Sequence, residues 1–451
     1  MHMNQLDKEL LRRRVEIEEQ ELEKRSINRR SYALVLSLFL VLIIPVFIVS
    51  TPKEVFEGMF RIITSPSNLT TDYFVIGGPG GSFANSALIL LMYTALINRL
   101  DLDMSGSIIA ALFLMAGFAF FGKNIYNSIP ITLGVYLNSV YTRQPFEKNI
   151  LPALYGTSLG PFVSIITFGL DLPLFMGMGL GILAGILIGF VIPPLAASTL
   201  RFHSGFNLYN VGFTTGLIGM IVIGLLRSFH YEIENVTIIF TEPTPILNTV
   251  VLIGWSLFTM IGLILVYRSK YSYQQYRHLL DNSGRLVADF INIYGFEVVL
   301  LNMGLMGLIS TLYVILINGN LTGPTMGGIL TVVGFSAFGK HIKNAPPVML
   351  GVFMASLFTG GGPDTNAALL GALFGTALAP ITGHYGLIPG FLAGFIHYAT
   401  VVNVGSLHGG VNLYNNGFSA GFVAAIFVPI LDMLIDARRL RQNESNTPRT
   451  E

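Results

Sequence analysis

The chain has no cysteine, which excludes disulfides, thiolate metal sites and a cysteine nucleophile and leaves the redox state of its compartment open. It is also poor in charge: Asp, Glu, Lys and Arg make up 11% of its residues, against about 25% in an ordinary soluble domain. The net charge of +1 gives no electrostatic argument for nucleic acid, and no such partner is expected. There is no Walker A loop, so ATP is not the energy source through this chain. No cleavable signal peptide is expected, because the first apolar run starts only at Tyr32, behind a charged segment, and is too long for one.

What remains is apolar sequence. Hydrophobic residues account for 52% of the chain, and runs long enough to span a bilayer recur from Tyr32 to Ile435. The expected fold class is an all-α polytopic membrane protein; a β-barrel would show short alternating segments instead. A lipid bilayer is therefore the first expected partner.

Two stretches nearly repeat each other. One runs from His203 through Asn207, Tyr209, Asn210 and Thr214 to Gly216. The other runs from His408 through Asn412, Tyr414, Asn415 and Ser419 to Gly421, with nine of fourteen positions identical. If helical, each set of His, Asn, Asn and Thr or Ser forms one polar stripe at i, i+4, i+7 and i+11. The likeness extends upstream. At a constant offset of 217, Asn85 aligns with Asn302 and Gly106 with Gly323. Gly117–Val135 aligns with Gly334–Val352, eleven of nineteen identical. Tyr155-Gly-Thr157 to Pro161 then matches Phe374-Gly-Thr376 to Pro380. The order is kept, so the chain is a tandem duplication.

The expected organisation is a charged cytoplasmic N-terminal segment (1–31), a first transmembrane repeat (32–230), an external linker (231–245), a second repeat (246–436) and a cytoplasmic tail (437–451). Each repeat holds seven apolar segments, of which the fourth has about 14 residues and the fifth is interrupted by Gly156, Gly160 and Pro161. Such segments are expected to be broken or re-entrant, giving some 10–14 transmembrane or re-entrant helices in all. An odd number of crossings inverts the second repeat. With the N-terminus inside and all segments crossing, 22 of the 26 Lys and Arg fall inside, as the positive-inside rule demands. The expected location is the cell membrane, multi-pass, with both termini cytoplasmic.

Inverted repeats with polar, Gly/Pro-broken segments at matching positions point to a transporter with its site between the copies. Paired asparagines can replace the hydration shell of a small polar solute. The candidate substrate-binding residues are Asn207, Asn210, Thr214, Asn412, Asn415 and Ser419, with His203, His408, Tyr209 and Tyr414 beside them and Thr157 and Thr376 lining the broken helix. The bland alternative is that the asparagines only bond helices together. Lys123 and Lys340 are expected to snorkel to the interface. Asn127 and Asn344 are expected as helix caps. No carboxylate is expected deep in both repeats, which argues against a pump built on buried acids. No metal, cofactor or catalytic residue is expected. His384 and His397 lack partners at metal-ligand spacing, and no acid–base pair is visible. A channel-like facilitator, an intramembrane enzyme using His203 or His408, and a membrane scaffold are the other readings, and a homo-oligomer stays open.

The motifs GFxxFGKxIxN and HxGxNLYNxGF resemble those of an uncharacterised family of duplicated bacterial integral membrane proteins, a domain of unknown function, over nearly the whole chain. The layout also looks, faintly, like that of urea transporters. Leu151-Pro152, Thr157 and Pro161-Phe162 repeat the letters of their signature in order, with two extra residues in each gap. That resemblance implies inverted halves, a neutral solute and a trimer.

Overall fold

The computed structural model describes residues 5–67, 70–231, 237–269, 272–359, 361–410, 412–413 and 415–446. Tyr414 and residues 232–236 of the linker lie outside them. The first repeat holds α1 (Gln5–Val49), α2 (Pro52–Thr64), α3 (Tyr73–Arg99), α4 (Gly106–Phe118), α5 (Ile125–Tyr141), α6 (Ile150–Gly156), α7 (Gly160–Phe168), α8 (Leu174–Phe202) and α9 (Asn210–Ser228). The second holds α10 (Pro245–Arg268), α11 (Ser272–Asp281), α12 (Phe290–Tyr294), α13 (Phe296–Leu316), α14 (Gly323–Phe335), α15 (Pro346–Phe358), α16 (Asn366–Gly375), α17 (Ala379–Tyr385), α18 (Leu387–His408) and α19 (Asn415–Asn446). Among the described residues, ten helical stretches are long and apolar enough to cross a membrane, and the chain is a polytopic membrane protein.

Matching elements make matching contacts. Helix α5 packs on α8 and α15 on α18; α1 packs on α3 and α10 on α13; α4 meets α14 and α9 meets α19 across the repeats. Small residues permit the closest approaches. A methyl group on Gly134 of α5 or on Gly351 of α15 would run into the backbone of the facing helix. The fifth segment is broken in both repeats, by single 3₁₀ turns at Thr157–Leu159 and Thr376–Leu378. There the Gly and Pro residues interrupt α-helical hydrogen bonding.

Two helices escape a reading based on apolar runs. The amphipathic α2 is set by a capping box between Thr51 and Glu54, and it presents exposed Phe56 and Phe60 while Gly58 packs against α3. Helix α11 occupies the same place in the second repeat.

The repeats interlock reciprocally. Asp72 N-caps α3 through the Phe74 N–H (2.9 Å) and also accepts from Gly323 N at the start of α14 (3.1 Å). Asp289, 217 residues on, accepts from Gly106 N at the start of α4 (3.1 Å). Tyr73 N donates to Phe120 O (3.0 Å), and its counterpart Phe290 N to Ala337 O (3.2 Å). Asp72 is fully buried and Asp289 partly so. The repeats thus share a matched carboxylate, buried in the first copy and half-buried in the second. Both acids lie just outside the apolar runs, where their role as caps for a helix in the other repeat leaves no local pattern.

Candidate functional site

Between α4 and α5, and again between α14 and α15, the chain leaves the helix for a few residues. Gly122 (φ 75°) and Gly339 (φ 143°) adopt positive φ there, which a side chain resists. An asparagine from the preceding long helix holds each break. Asn85 Nδ2 donates to Ala119 O (2.7 Å) and Lys123 O (2.8 Å); Asn302 Nδ2 donates to Ser336 O (2.8 Å) and Lys340 O (2.7 Å). Asn124 is the N-cap of α5, with Asn127 at its third position, and Asn344 folds back to the His341 N–H (2.8 Å). Asn127 also donates to Gly122 O and Asn344 to Gly339 O, each at 2.9 Å. The asparagines expected as caps thus stitch the breaks closed, and the cap of α5 is Asn124 instead of Asn127.

The breaks bury lysines. Lys123 and Lys340 are both 0% exposed. They do not snorkel to the interface; the Asn85 and Asn302 clamps fix their backbones too far inside. Lys340 Nζ donates to the Tyr209 hydroxyl (2.6 Å) and to Thr376 Oγ1 (2.7 Å). It also stands over the rings of Tyr209 (4.6 Å) and Phe335 (5.1 Å). Thr376 in turn donates to Leu373 O (2.5 Å). The cage therefore draws Lys340 and Thr376 from one repeat and Tyr209 from the other. Lys123 Nζ contacts Met115 Sδ (2.9 Å) and stands over Phe118 (5.4 Å). Thr157 Oγ1 turns to the same sulfur (3.3 Å) and to Leu154 O (2.6 Å). Among the described residues neither ammonium has a carboxylate partner.

A cavity of about 310 Å³ is lined by Tyr209 and Phe335, the two rings that face Lys340, but not by Lys340 itself. It opens beside Lys148 and Asn149, is walled by Pro152, Tyr155, Ala196 and Asn210, and reaches Tyr209 and Phe335. Those two rings pack edge to face at 4.7 Å, and both also face the Lys340 ammonium. A second cavity, of about 350 Å³ near Lys24, Asn28 and Asp103, shares no lining residue with the first.

The polar stripes are not single helices. Residues 203–209 form a non-helical link between α8 and α9, because His203 caps α8 and Asn207 Oδ1 accepts from Tyr209 N (2.9 Å) in a side-chain turn. Asn207 Nδ2 crosses to Gly417 O (3.0 Å), and Asn412 Oδ1 accepts from Thr215 (3.3 Å). Both asparagines therefore cross-link the repeats. Leu208 N donates to Ala377 O (3.0 Å) and Leu413 N to Ser158 O (3.1 Å), so each link docks on the broken helix of the other repeat. His203 Nε2, Asn210, Thr199 and Thr214 form a hydrogen-bonded chain within the first repeat. His408 bonds across to Gly216 O (3.0 Å), and Ser419 bonds Asn415 O in α19 (3.1 Å). Of the expected residues, Tyr209, Asn210 and Thr376 fall at the cavity or at Lys340. Tyr414 lies outside the described residues. Lys340 was expected at the interface, and Tyr155 and Phe335 were not singled out from the sequence. The signal for the lysine was its recurrence at the same point of both repeats, within otherwise apolar sequence.

Just before α3, burial raises the Asp72 carboxyl above its ordinary range, against the N–H groups of Phe74, Phe240 and Gly323. Burial likewise raises Asp289, against the N–H groups of Asn292, Gly106 and Ile291.

No curated protein and no solved structure matches the chain. Neither the likeness to urea transporters nor a bacterial origin gains support from the comparisons. The family described as "Protein of unknown function (DUF1576)" matches residues 51–228 and 268–433, one stretch in each repeat. With most of its length so matched, this duplicated membrane chain belongs to the DUF1576 family.

Proposed function

We propose that this protein is a membrane transporter for a small polar solute, with its site between two repeats of opposite topology. The observation that carries the reading is the Lys340 cage. A buried ammonium is held by a hydroxyl from each repeat, behind two rings that line a cavity between the repeats. Broken helices at matching positions, with polar groups turned inward, are the means by which duplicated transporters build such sites. Two further features support inversion. The contacts across the repeats are reciprocal, Asp72 to the start of α14 and Asp289 to the start of α4, in keeping with a two-fold relation between the repeats. When the two buried lysines are left out of the charge count, 21 of the remaining 24 Lys and Arg still fall on one side. The cavity then faces the cytoplasm, and both termini lie there.

The Tyr209–Phe335 contact favours a gated carrier over an open channel, since an open pore has no rings closed across it. Asn210 belongs to the cavity wall. Asn207 and Asn412 hold the repeats together in the state described here. An enzymatic role has less support, because neither His203 nor His408 is placed as a base beside a nucleophile.

The test is uptake by purified protein in liposomes, across a panel of neutral, anionic and cationic solutes, with and without a Na⁺ or H⁺ gradient. Movement of one solute is the expected result. A folded sample that moves nothing overturns the reading.

A further inference from the structure

An ammonium enclosed in low-dielectric surroundings is expensive unless a counter-charge meets it. Lys340 has two hydroxyl acceptors and two ring faces, and no anion among the described residues. The environment compensates the charge only in part, and it does so with groups that can turn aside. The cavity supplies the approach. Its wall is largely apolar, through Pro152, Ala196 and Leu208, and it ends at Tyr209 and Phe335, directly against the ammonium's cage.

We propose that the solute is a small monocarboxylate, whose carboxylate displaces the Tyr209 hydroxyl from Lys340, while Thr376 keeps its bond to Leu373 O and the solute's apolar body rests against Phe335 and Tyr155. The proposal rests on the transporter reading and names its substrate class. One ammonium balances one negative charge, so a dianion would leave charge uncompensated in the same medium. A neutral isostere would leave the ammonium as it is. The three N–H donors of a lysine suit a carboxylate oxygen, and such a charge-assisted bond is about twice as strong as a neutral one. Lys123 marks the same position in the other repeat, where Phe118 closes over it. It would meet the solute when the carrier opens toward the opposite face.

The experiment measures binding before transport. Thermal unfolding of the purified protein in detergent is followed while sodium propionate or propionamide is titrated, at constant ionic strength and pH 8. Propionate is expected to raise the melting temperature saturably and propionamide to do nothing. In Lys340→Met the propionate effect is expected to weaken roughly tenfold or more in half-saturating concentration. Lys340→Arg, which keeps the charge, should retain part of it. Equal responses to propionate and propionamide in the unaltered protein overturn the proposal, even if every Lys340 variant fails to fold. A folded Lys340→Met that binds propionate as the parent does also overturns it. Counterflow of labelled lactate into liposomes separates the two claims. Propionate binding without lactate flux upholds the anion site and overturns the transporter reading. Flux of a neutral or cationic solute without propionate binding upholds the transporter and overturns the anion.

Discussion

Lys123 and Lys340 occupy the same point of two copies of one fold, and their surroundings differ. The backbone frame is shared. A glycine at positive φ precedes each lysine, and Asn85 or Asn302 clamps its carbonyl with the same pair of hydrogen bonds. The side chains diverge. Lys340 meets the Thr376 hydroxyl, whereas Thr157 turns to the sulfur of Met115, whose counterpart in the second repeat is Val332. Phe335, which faces Lys340, packs against the phenol of Tyr155, whereas its counterpart Phe118, which faces Lys123, packs against Phe374. Asn210 is half-buried beside the cavity, while its counterpart Asn415 is 5% exposed. Duplication thus preserved the geometry that breaks the helices and let the polar groups drift. Lys340 lies behind two rings that line a cavity, and Lys123 lies between Phe118 and the sulfur of Met115.

The sharpest way to break this comparison uses the absence of cysteine. Single variants Asn210→Cys and Asn415→Cys can be labelled with a water-soluble thiol reagent. Asn210→Cys is expected to react faster by on the order of a hundredfold, because Asn415 is reached only through an opening that costs a few kcal/mol. A solute that drives the carrier toward its opposite state should narrow the gap. Equal rates in its absence would mean that the two sides are equally open, and that the contrast between the lysines has no bearing on access.

The next effect tests the interlock. Asp72→Leu strands the N–H groups of Phe74, Phe240 and Gly323. It should cost about 2 kcal/mol or more, read as lost thermal stability in detergent. Asp289→Leu should cost less, since Asp289 is partly exposed and water replaces some of what is removed. Equal losses would show that the two caps are equivalent despite their unequal burial.

Much of this was legible in the residues. The duplication, the membrane class and the breaks at Thr157 and Thr376 follow from apolar runs, from Gly and Pro, and from a register kept over two hundred residues. The reach of the polar groups was not legible. His203, Asn207, Asn210 and Thr214 have helical spacing, but Asn207 bonds its own chain two residues on and ends the regularity. That competition between side chain and backbone is settled by what Asn207 finds on α19, which no local pattern records. Lys340 was readable as a repeated lysine and misjudged as an interfacial one, because its depth is set by Asn302, 38 residues earlier. Asp72 and Asp289 cap helices in the opposite repeat, a pairing visible only once the halves are assembled.

A smaller effect is expected at Tyr209. Tyr209→Phe keeps the ring over Lys340 and removes one of its two hydroxyl partners. Losing one acceptor of a charge-assisted bond is worth about 1.5 kcal/mol, roughly tenfold in solute affinity. Because the carboxylate is proposed to displace this hydroxyl from the ammonium, affinity is expected to rise. A fall would mean that the hydroxyl contacts the solute instead of competing with it. An unchanged affinity in a folded variant would place the site away from Lys340 and leave the contrast with Lys123 a matter of packing alone.

The smallest effect is one of pH. Burial raises the carboxyl pKa of both Asp72 and Asp289 in the folded protein. A raised acid binds more protons folded than unfolded, so its contribution to stability is complete below the ordinary aspartate pKa of about 3.9 and is lost as pH rises through the raised value. Thermal stability in detergent should therefore decline across the weakly acidic range on account of these groups. Asp72→Asn removes the titration and keeps an acceptor oxygen for the N–H groups it caps, so it should flatten that decline. Asp289→Asn should flatten it less, because partial exposure already solvates the charged form. If the two variants flatten the curve equally, the caps sit in equivalent surroundings, and the asymmetry between the repeats is confined to the lysines. If Asp72→Asn leaves the slope unchanged, its ionised form is as well held by the three N–H groups as it is in water, and the burial of that cap is fully compensated.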